Sequence, residues 1–393
     1  MPLAIFALTI AAYAIGTTEF VIVGLLPTVA TDLAISLPLA GLIVSVYALG
    51  VTFGAPVLTA LSRRIERKPL LLGLMALFIG GNTVAALSPN YEMLLVARVL
   101  SAFAHGVFFS VGATIAADLV PEDRRASAIA MMFMGLTVAI VTGVPIGTYI
   151  GQAFGWRATF WGVAALGVVA FATLLPGSLT KAAPASLLDQ VRVLGSGRLL
   201  LVFAMTALGY GGTFVAFTFL APILQEVTGF SDNSVSLILV LYGVAIAGGN
   251  IAGGRIANTN PVKALIGLFL LQALVLVIFS FTAASPALTL VTLTALGFLS
   301  FANVPGLQLY VVQLAKEHRP GAVDVASALN IAAFNLGIAL GAWLGGRVVG
   351  SPLGLASTPW VGAILVSGAL LLTLWSGLLD RRGECGEPLA AAN

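Results

Sequence analysis

"AIGTTEFVIVGLLP", residues 14–27, decides how this chain is read. Most of it belongs in hydrocarbon, yet Glu19 stands in its middle. A bilayer span needs about 20 mostly apolar residues, and residues 4–26 reach that length with Glu19 as their one charged side chain. The segment has no basic n-region, and its apolar run passes the length of a cleavable signal, so it reads as a first transmembrane helix that is retained.

The composition extends that reading to the whole chain. Of 393 residues, 59% are hydrophobic and 8% charged, with a mean hydropathy of +1.08. Soluble domains carry roughly 25% charged residues, so the solvent for this surface is lipid. The net charge is only +3 and the basic residues are dispersed in short clusters. That pattern suits loops beside a membrane and points away from a nucleic-acid partner. The single cysteine, Cys385, supports neither a disulfide framework nor a thiolate site, and two histidines do not make a zinc site. No P-loop and no nucleophile–base constellation stands out. The expectation is a protein that is not an enzyme and needs no metal or cofactor.

Twelve windows qualify as spans: 4–26, 38–61, 70–88, 92–117, 126–150, 156–177, 198–225, 233–256, 262–283, 286–314, 321–349 and 356–379. The fold class expected is all-α integral membrane, twelve helices in two six-helix pseudo-symmetric bundles around a central cavity. The bundles are residues 1–180 and 198–380, joined by a loop over 181–197 and followed by a tail over 381–393. The stretch 178–197, with Lys181, Pro184, Asp189 and Arg192, is the longest non-apolar one.

Alternating the loops puts 15 of the 18 Lys and Arg residues on one side, among them Arg63, Arg64, Arg67, Lys68, Arg124, Arg125, Arg198 and Arg255. The opposite side has Arg157 and Arg347, and Arg98 lies within a span. The positive-inside rule therefore places both termini and the central loop in the cytoplasm. The halves also repeat. A shift of 195 lays Pro27 on Pro222, Tyr47 on Tyr242, Gly54 on Gly249 and Lys68 on Lys263; a shift of 200 lays residues 126–128, Ala-Ser-Ala, on 326–328. Parallel repeats of this kind place a substrate site between them near the midplane.

Of fifteen acidic residues only Glu19 lies deep in a span. Inserting a charge there costs about 3 kcal/mol, and burial disfavours the charged form. A carboxyl that meets each side in turn is a proton carrier; one that stays put is the partner of a buried cation. Glu19 lies about eight residues from the outer end of its span, Arg98 about six and His105 about thirteen. At 1.5 Å per residue a contact of Glu19 with either is possible. His105 titrates near neutral pH when unperturbed, and Arg98 suits a structural role, holding the outer end of the cavity by hydrogen bonds to backbone or to Glu19.

Glycines at spacing four, Gly135, Gly143, Gly147 and Gly151 in the fifth span and Gly337, Gly341 and Gly345 in the eleventh, mark faces of close helix approach. They are expected to form the seam along which the halves rock, with Pro145 as a local bend. Tyr210, Thr213, Asn303, Gln308, Asn330 and Asn335 are expected as polar cavity lining, with Phe108, Phe109, Phe214 and Phe217 as an apolar wall. The basic loop "LSRRIERKPL" (61–70) and the acidic "DLVPEDRRA" (118–126) could pair and latch one conformation.

Four stretches carry a family resemblance: "GTTEFVIVGLLP", "ARVLSAFAHGVFFS", "GVPIGTYIGQAFGWRATF" and "ALNIAAFNLGIALGAWLGG". Through its whole length the chain resembles a twelve-span major facilitator superfamily transporter of the drug:proton antiporter group. It is most similar to AraJ/YdhP/SotB-like exporters, which include sugar-efflux and chloramphenicol-resistance proteins. The resemblance implies rocker-switch alternating access and a cavity lined by the first, fourth, seventh and tenth helices, with Glu19, Arg98 and His105 facing it. One motif departs. The superfamily's loop G-x-L-a-D-R-x-G-R-K is here "TALSRRIERK", with Arg63 in the place of the aspartate, and "GRIAN" (254–258) has Asn258 there. A reversed latch, Arg63 or Arg64 with Asp118, is the expectation. The function expected is a monomeric proton antiporter of the bacterial inner membrane that exports a small organic solute, its partners being substrate, protons and the bilayer. The alternatives are a proton-independent facilitator of sugar or nucleoside and a non-transporting sensor.

Overall fold

The computed structural model describes residues 2–62, 65–121, 125–175, 193–319 and 323–384, a few of them by backbone alone. Twelve helices are long and apolar enough to cross a membrane. No water in hydrocarbon can satisfy a backbone N–H or C=O, so the chain forms helices that satisfy their own. The first half holds α1 (Leu3–Asp32), α2 (Leu37–Leu61), α3 (Arg67–Leu87), α4 (Tyr91–Asp118), α5 and α6 (Trp156–Leu174). The second holds α7 (Gly197–Phe217, continued by Leu220–Pro222 and a π-turn Ile223–Val227), α8 (Asp232–Ala257), α9 (Pro261–Thr282), α10 (Pro286–His318), α11 (Val323–Val349) and α12 (Thr358–Glu384). Ser36, Asn90 and Asn260 cap α2, α4 and α9, each side chain accepting from the backbone N–H three residues on.

Helix α5 consists of Arg125–Val138, a π-turn Ala139–Gly143 and Val144–Phe154. Pro145 has no N–H for the carbonyl of Val141 and its ring crowds that carbonyl, which accounts for the irregular turn just before it. Gly155 then takes φ +87°, a left-handed conformation that suits glycine, and the chain turns sharply into α6. There Asp32 at the end of α1 accepts from Arg157 Nη1 at 2.5 Å and from Trp156 Nε1 at 2.9 Å, and Arg157 Nε donates to the Ser88 carbonyl at 3.0 Å. At the opposite end of the second half, Arg198, Tyr310 and Asp380 tie α7, α10 and α12 together, with the Tyr310 hydroxyl donating to Asp380 at 2.9 Å.

The glycine stripes face inward within each half, which corrects the expectation that they line the seam between halves. A Cβ on Gly135 would meet the Thr9 carbonyl of α1, and Cβ atoms on Gly143, Gly147 and Gly151 would meet Thr17, Val21 and Leu25 of the same helix. Gly337, Gly341 and Gly345 lie against the carbonyls of Ala207, Gly211 and Val215 on α7. The reason is azimuth: spacing four puts the glycines on one face but leaves open which neighbour that face meets.

Other residues make the seam. In the α2–α11 contact Pro38 packs on Gly346 and Gly350, the Ser45 hydroxyl donates to the Ala339 carbonyl at 3.0 Å, and Thr52 to Ala332 at 3.4 Å. In the α5–α8 contact Gly243 lies on Ile140 and Val141 of the π-turn, and the Ser236 hydroxyl donates to Gln152 Oε1 at 2.8 Å. Helix α1 also meets the Leu220–Pro222 extension of α7. The Pro38, Ser236 and Leu220–Pro222 contacts lie toward the membrane face opposite the basic loops, and Thr52 carries the α2–α11 contact past mid-helix.

A Cβ on Gly341 would collide with the Gly211 carbonyl. Gly341→Val should therefore cost about 1–3 kcal/mol through overpacking and lower the apparent melting temperature in detergent by several degrees. Gly267→Ala, with nothing within 4 Å of the new Cβ, should not lower it, since alanine is the better helix former.

Candidate functional site

Four helices meet around Glu19. Arg98 on α4 is fully buried, and its Nη1 donates to the Thr18 carbonyl on α1 at 2.7 Å. Its Nη2 lies 3.5 Å from the Glu19 carbonyl, so the guanidinium grips the backbone of α1 at the site. Its plane lies over the Tyr47 ring of α2, 3.9 Å from the centroid, a cation–π contact. The Thr18 hydroxyl donates to Asn82 Oδ1 on α3 at 2.6 Å, and Asn82 Nδ2 returns a bond to the Phe78 carbonyl at 2.8 Å. With α1 held from two sides, the Glu19 carboxylate approaches α4 about two turns further along, its Oε2 3.9 Å from His105 Nδ1. The Tyr47 hydroxyl lies 3.1 Å from that same nitrogen. Glu19 keeps only 8% exposure and His105 5%.

Aromatic rings surround this group. His105 packs on Phe109 with centroids 5.0 Å apart, and Phe109 on Phe108 and Phe133. From the second half, Tyr210 and Phe214 on α7, Phe301 on α10 and Phe334 on α11 form one cluster, with Tyr210 at 5.0–5.4 Å from the other three. Phe20, beside Glu19 in sequence, meets Phe214 at 6.3 Å across the boundary between halves. Phe217 stacks on Tyr242 at 5.2 Å.

The polar residues expected to line the cavity are placed differently. Gln272 Nε2 donates to the Thr213 hydroxyl at 2.6 Å, and Asn303 Nδ2 donates to Gln272 Oε1 at 2.8 Å. The Thr206 hydroxyl donates to Asn330 Oδ1 at 2.8 Å, Asn330 Nδ2 to Gln308 Oε1 at 2.9 Å, and Gln308 to the Ser327 hydroxyl at 2.5 Å. Thr213, Asn303 and Asn330 have no exposed surface. These bonds tie α7, α9, α10 and α11 together, because an unmatched amide in hydrocarbon costs more than one that finds a neighbour, although Asn303 Oδ1 stays buried without a partner. The expectation of a free polar lining is corrected for these residues, and Phe108, expected in the apolar wall, is fully buried. Asn335 donates to its own helix at the Ile331 carbonyl, 3.1 Å away.

Arg63 and Arg64, the expected partners of Asp118, lie outside the described residues. Asp118 accepts from Arg67 Nη2 at 2.7 Å. This pair joins the start of α3 to the end of α4 within one half. Pro145 sits beside the seam through the π-turn that precedes it; Gly143 and Gly147 turn away toward α1. The sequence reading passed over Tyr47, Asn82 and Gln272 as site or network residues. Asn82 and Gln272 each carried a signal, a lone amide in an otherwise apolar window. Among the described residues no cluster of His, Cys, Asp and Glu is built to hold a metal.

Comparison with known proteins adds the lineage. The family described as Major Facilitator Superfamily matches residues 8–324. The "Uncharacterized MFS-type transporter YtbD" of Bacillus subtilis is 57% identical over 96% of both chains. The "Inner membrane transport protein YdhP" of Escherichia coli K12 is 40% identical over 96% of this chain and 97% of that one. The "Chloramphenicol resistance protein" of Streptomyces lividans is 35% identical over 95% of both. Among solved structures, a bacterial homologue of the human lysosomal transporter Spinster, in an inward-facing and occupied conformation, superposes with a TM-score of 0.75 at 17% identity, covering 95% of this chain and 96% of that one.

Arg98→Lys keeps the charge but loses the planar fork and the flat face over Tyr47. The variant should be less stable by about 1–3 kcal/mol, read as a lower detergent melting temperature. Unchanged stability would show that the fork does not hold α1.

Proposed function

This chain belongs to the Major Facilitator Superfamily, and from that premise we propose that it is a proton-coupled exporter of a small organic solute in the bacterial inner membrane. The observation that carries the reading is Glu19: a carboxylate buried in the middle of a span, 3.9 Å from a histidine ring nitrogen. A bare carboxylate is costly to occlude in a low-dielectric interior. Reorientation is favoured when Glu19 is neutralised, by a proton or by a cationic partner such as His105. A proton taken from one side and released to the other then alternates with substrate. Each proton moving down 100 mV releases about 2.3 kcal/mol, which supports roughly fiftyfold accumulation at 1.4 kcal/mol per tenfold.

The charge asymmetry of the loops supports an orientation with both termini in the cytoplasm. In that orientation the Pro38–Gly350 and Ser236–Gln152 contacts lie toward the outside, and an exporter loads from the opposite, cytoplasmic side. The rings of Phe20, Phe109, Tyr210, Phe214, Phe301 and Phe334 support a substrate with an apolar or aromatic body. The relative named for chloramphenicol resistance agrees with such a solute. The chain acts as a monomer in this reading.

The test is uptake into inverted vesicles under an imposed pH gradient, with chloramphenicol as the first probe and other compounds drawn from a growth-inhibition panel. Glu19→Gln should lower gradient-driven accumulation at least about tenfold while substrate counterflow persists. Undiminished uphill transport in that variant would remove Glu19 from the mechanism.

A further inference from the structure

Tyr47 touches both His105 and Arg98, the two basic residues beside Glu19, and it does so from a helix that forms the seam. Its hydroxyl lies 3.1 Å from His105 Nδ1, and its ring carries the Arg98 guanidinium at 3.9 Å. The residue is almost fully buried, so water does not replace these contacts. An imidazole nitrogen has a single in-plane direction, used by a lone pair or by a hydrogen. Tyr47 and Glu19 Oε2 therefore compete for one position on His105. When Nδ1 is bare, the Tyr47 O–H donates to it and the ring keeps its proton on Nε2. When Nδ1 is protonated it becomes a donor, and the carboxylate of Glu19 is the stronger acceptor. The partner of the ring nitrogen thus changes with its protonation.

The same helix carries the seam contacts on its other side. Ser45 and Thr52 donate to the Ala339 and Ala332 carbonyls of α11. At about 100° per residue these two share one face of α2, and Tyr47 points to roughly the opposite face. We propose that Tyr47 is the positioning residue that links the protonation state of the Glu19–His105 pair to the α2–α11 seam. This rests on the proton-coupled reading above. Loss of the proton from Nδ1 draws the Tyr47 hydroxyl, and with it α2, onto α4; gain of a proton frees the tyrosine and transfers the ring to Glu19. The groups that face His105 are Glu19 from α1, Tyr47 from α2, Arg98 from its own helix and the Phe109 ring, and Tyr210 of α7 faces Glu19 from the other half. A shift of 195 supports the assignment to one half only: Tyr47 falls on Tyr242, but His105 falls on Ser300.

Two measurements test this without a substrate. The chain has two histidines, so nitrogen-15 labelling of histidine in a His318→Gln background reads His105 alone. The neutral ring should carry its hydrogen on Nε2; a neutral ring with the hydrogen on Nδ1 overturns the proposal, and this reading needs no change at Tyr47. The second measurement follows the seam. Spin labels at Leu39→Cys and Leu353→Cys, both exposed positions beside the Pro38–Gly350 contact, with Cys385→Ser, report its closed and separated populations in lipid nanodiscs across pH. The populations should change with pH, and Glu19→Gln should abolish the change. Tyr47→Phe keeps the ring over which Arg98 lies but leaves the neutral imidazole without its donor, so the midpoint should move to higher pH by about one unit, a tenfold change in proton concentration. A midpoint unmoved by Tyr47→Phe, with Glu19→Gln still flat, overturns the role of Tyr47 and leaves the proton reading standing. Populations that ignore pH in the labelled parent overturn both.

Discussion

A guanidinium inside a membrane protein needs acceptors, and the two terminal nitrogens of Arg98 find theirs on the backbone of α1. Its bond to the Thr18 carbonyl at 2.7 Å fixes the azimuth and depth of the residue that follows, Glu19. The Tyr47 ring beneath it fixes α2, and the Thr18 hydroxyl fixes Asn82 on α3. Without this anchor the carboxylate would be an isolated charge in hydrocarbon. With it, Glu19 has a cation close by but not in direct contact, and a histidine at 3.9 Å. A carboxylate bonded straight to arginine would hold its charge too firmly to exchange a proton readily. An arginine held on the backbone supplies the field and leaves the oxygen atoms free.

The two halves share a scaffold and divide the chemistry. Thr18 and Thr213 lie 195 positions apart and each bonds an amide on the third helix of its half, Asn82 or Gln272. Tyr47 and Tyr242 are likewise equivalent. At the positions where the first half has Glu19 and His105, the second has Phe214 and Ser300. Phe214 belongs to the aromatic cluster with Tyr210, which faces Phe20 across the boundary. Charge is thus confined to one wall and apolar surface to the other, an arrangement suited to a solute held between them.

Rigid and separable contacts are built from different materials. Within each half, glycine faces let backbones approach until carbonyls and Cα atoms touch, and buried amides add hydrogen bonds that hydrocarbon cannot replace. Between the halves the contacts are fewer in kind: Pro38 on Gly346 and Gly350, Gly243 on the π-turn of α5, and hydroxyls of Ser45, Thr52 and Ser236. Each hydroxyl can return to its own helix carbonyl when the partner leaves, as Thr52 already does with Ala48 at 2.9 Å. Separation of this seam therefore need not strand a polar group.

Linear spacing was enough for some of this. The number of spans, their limits to within a few residues and the isolation of Glu19 follow from the thickness of hydrocarbon and the cost of a charge in it, both of which act on the chain locally. The depths of Arg98 and His105 on either side of Glu19 follow from a fixed rise per residue. Which way each side chain points was decided only in three dimensions. The glycines of α5 and α11 face α1 and α7, Asp118 takes Arg67, Arg98 binds a carbonyl instead of the carboxylate, and the asparagines and glutamines close on one another. A helix turns about 100° per residue, so sequence shows which residues share a face but not which helix stands opposite it. That neighbour is set by the packing of all twelve helices together, and Tyr47 became visible as part of the site only there.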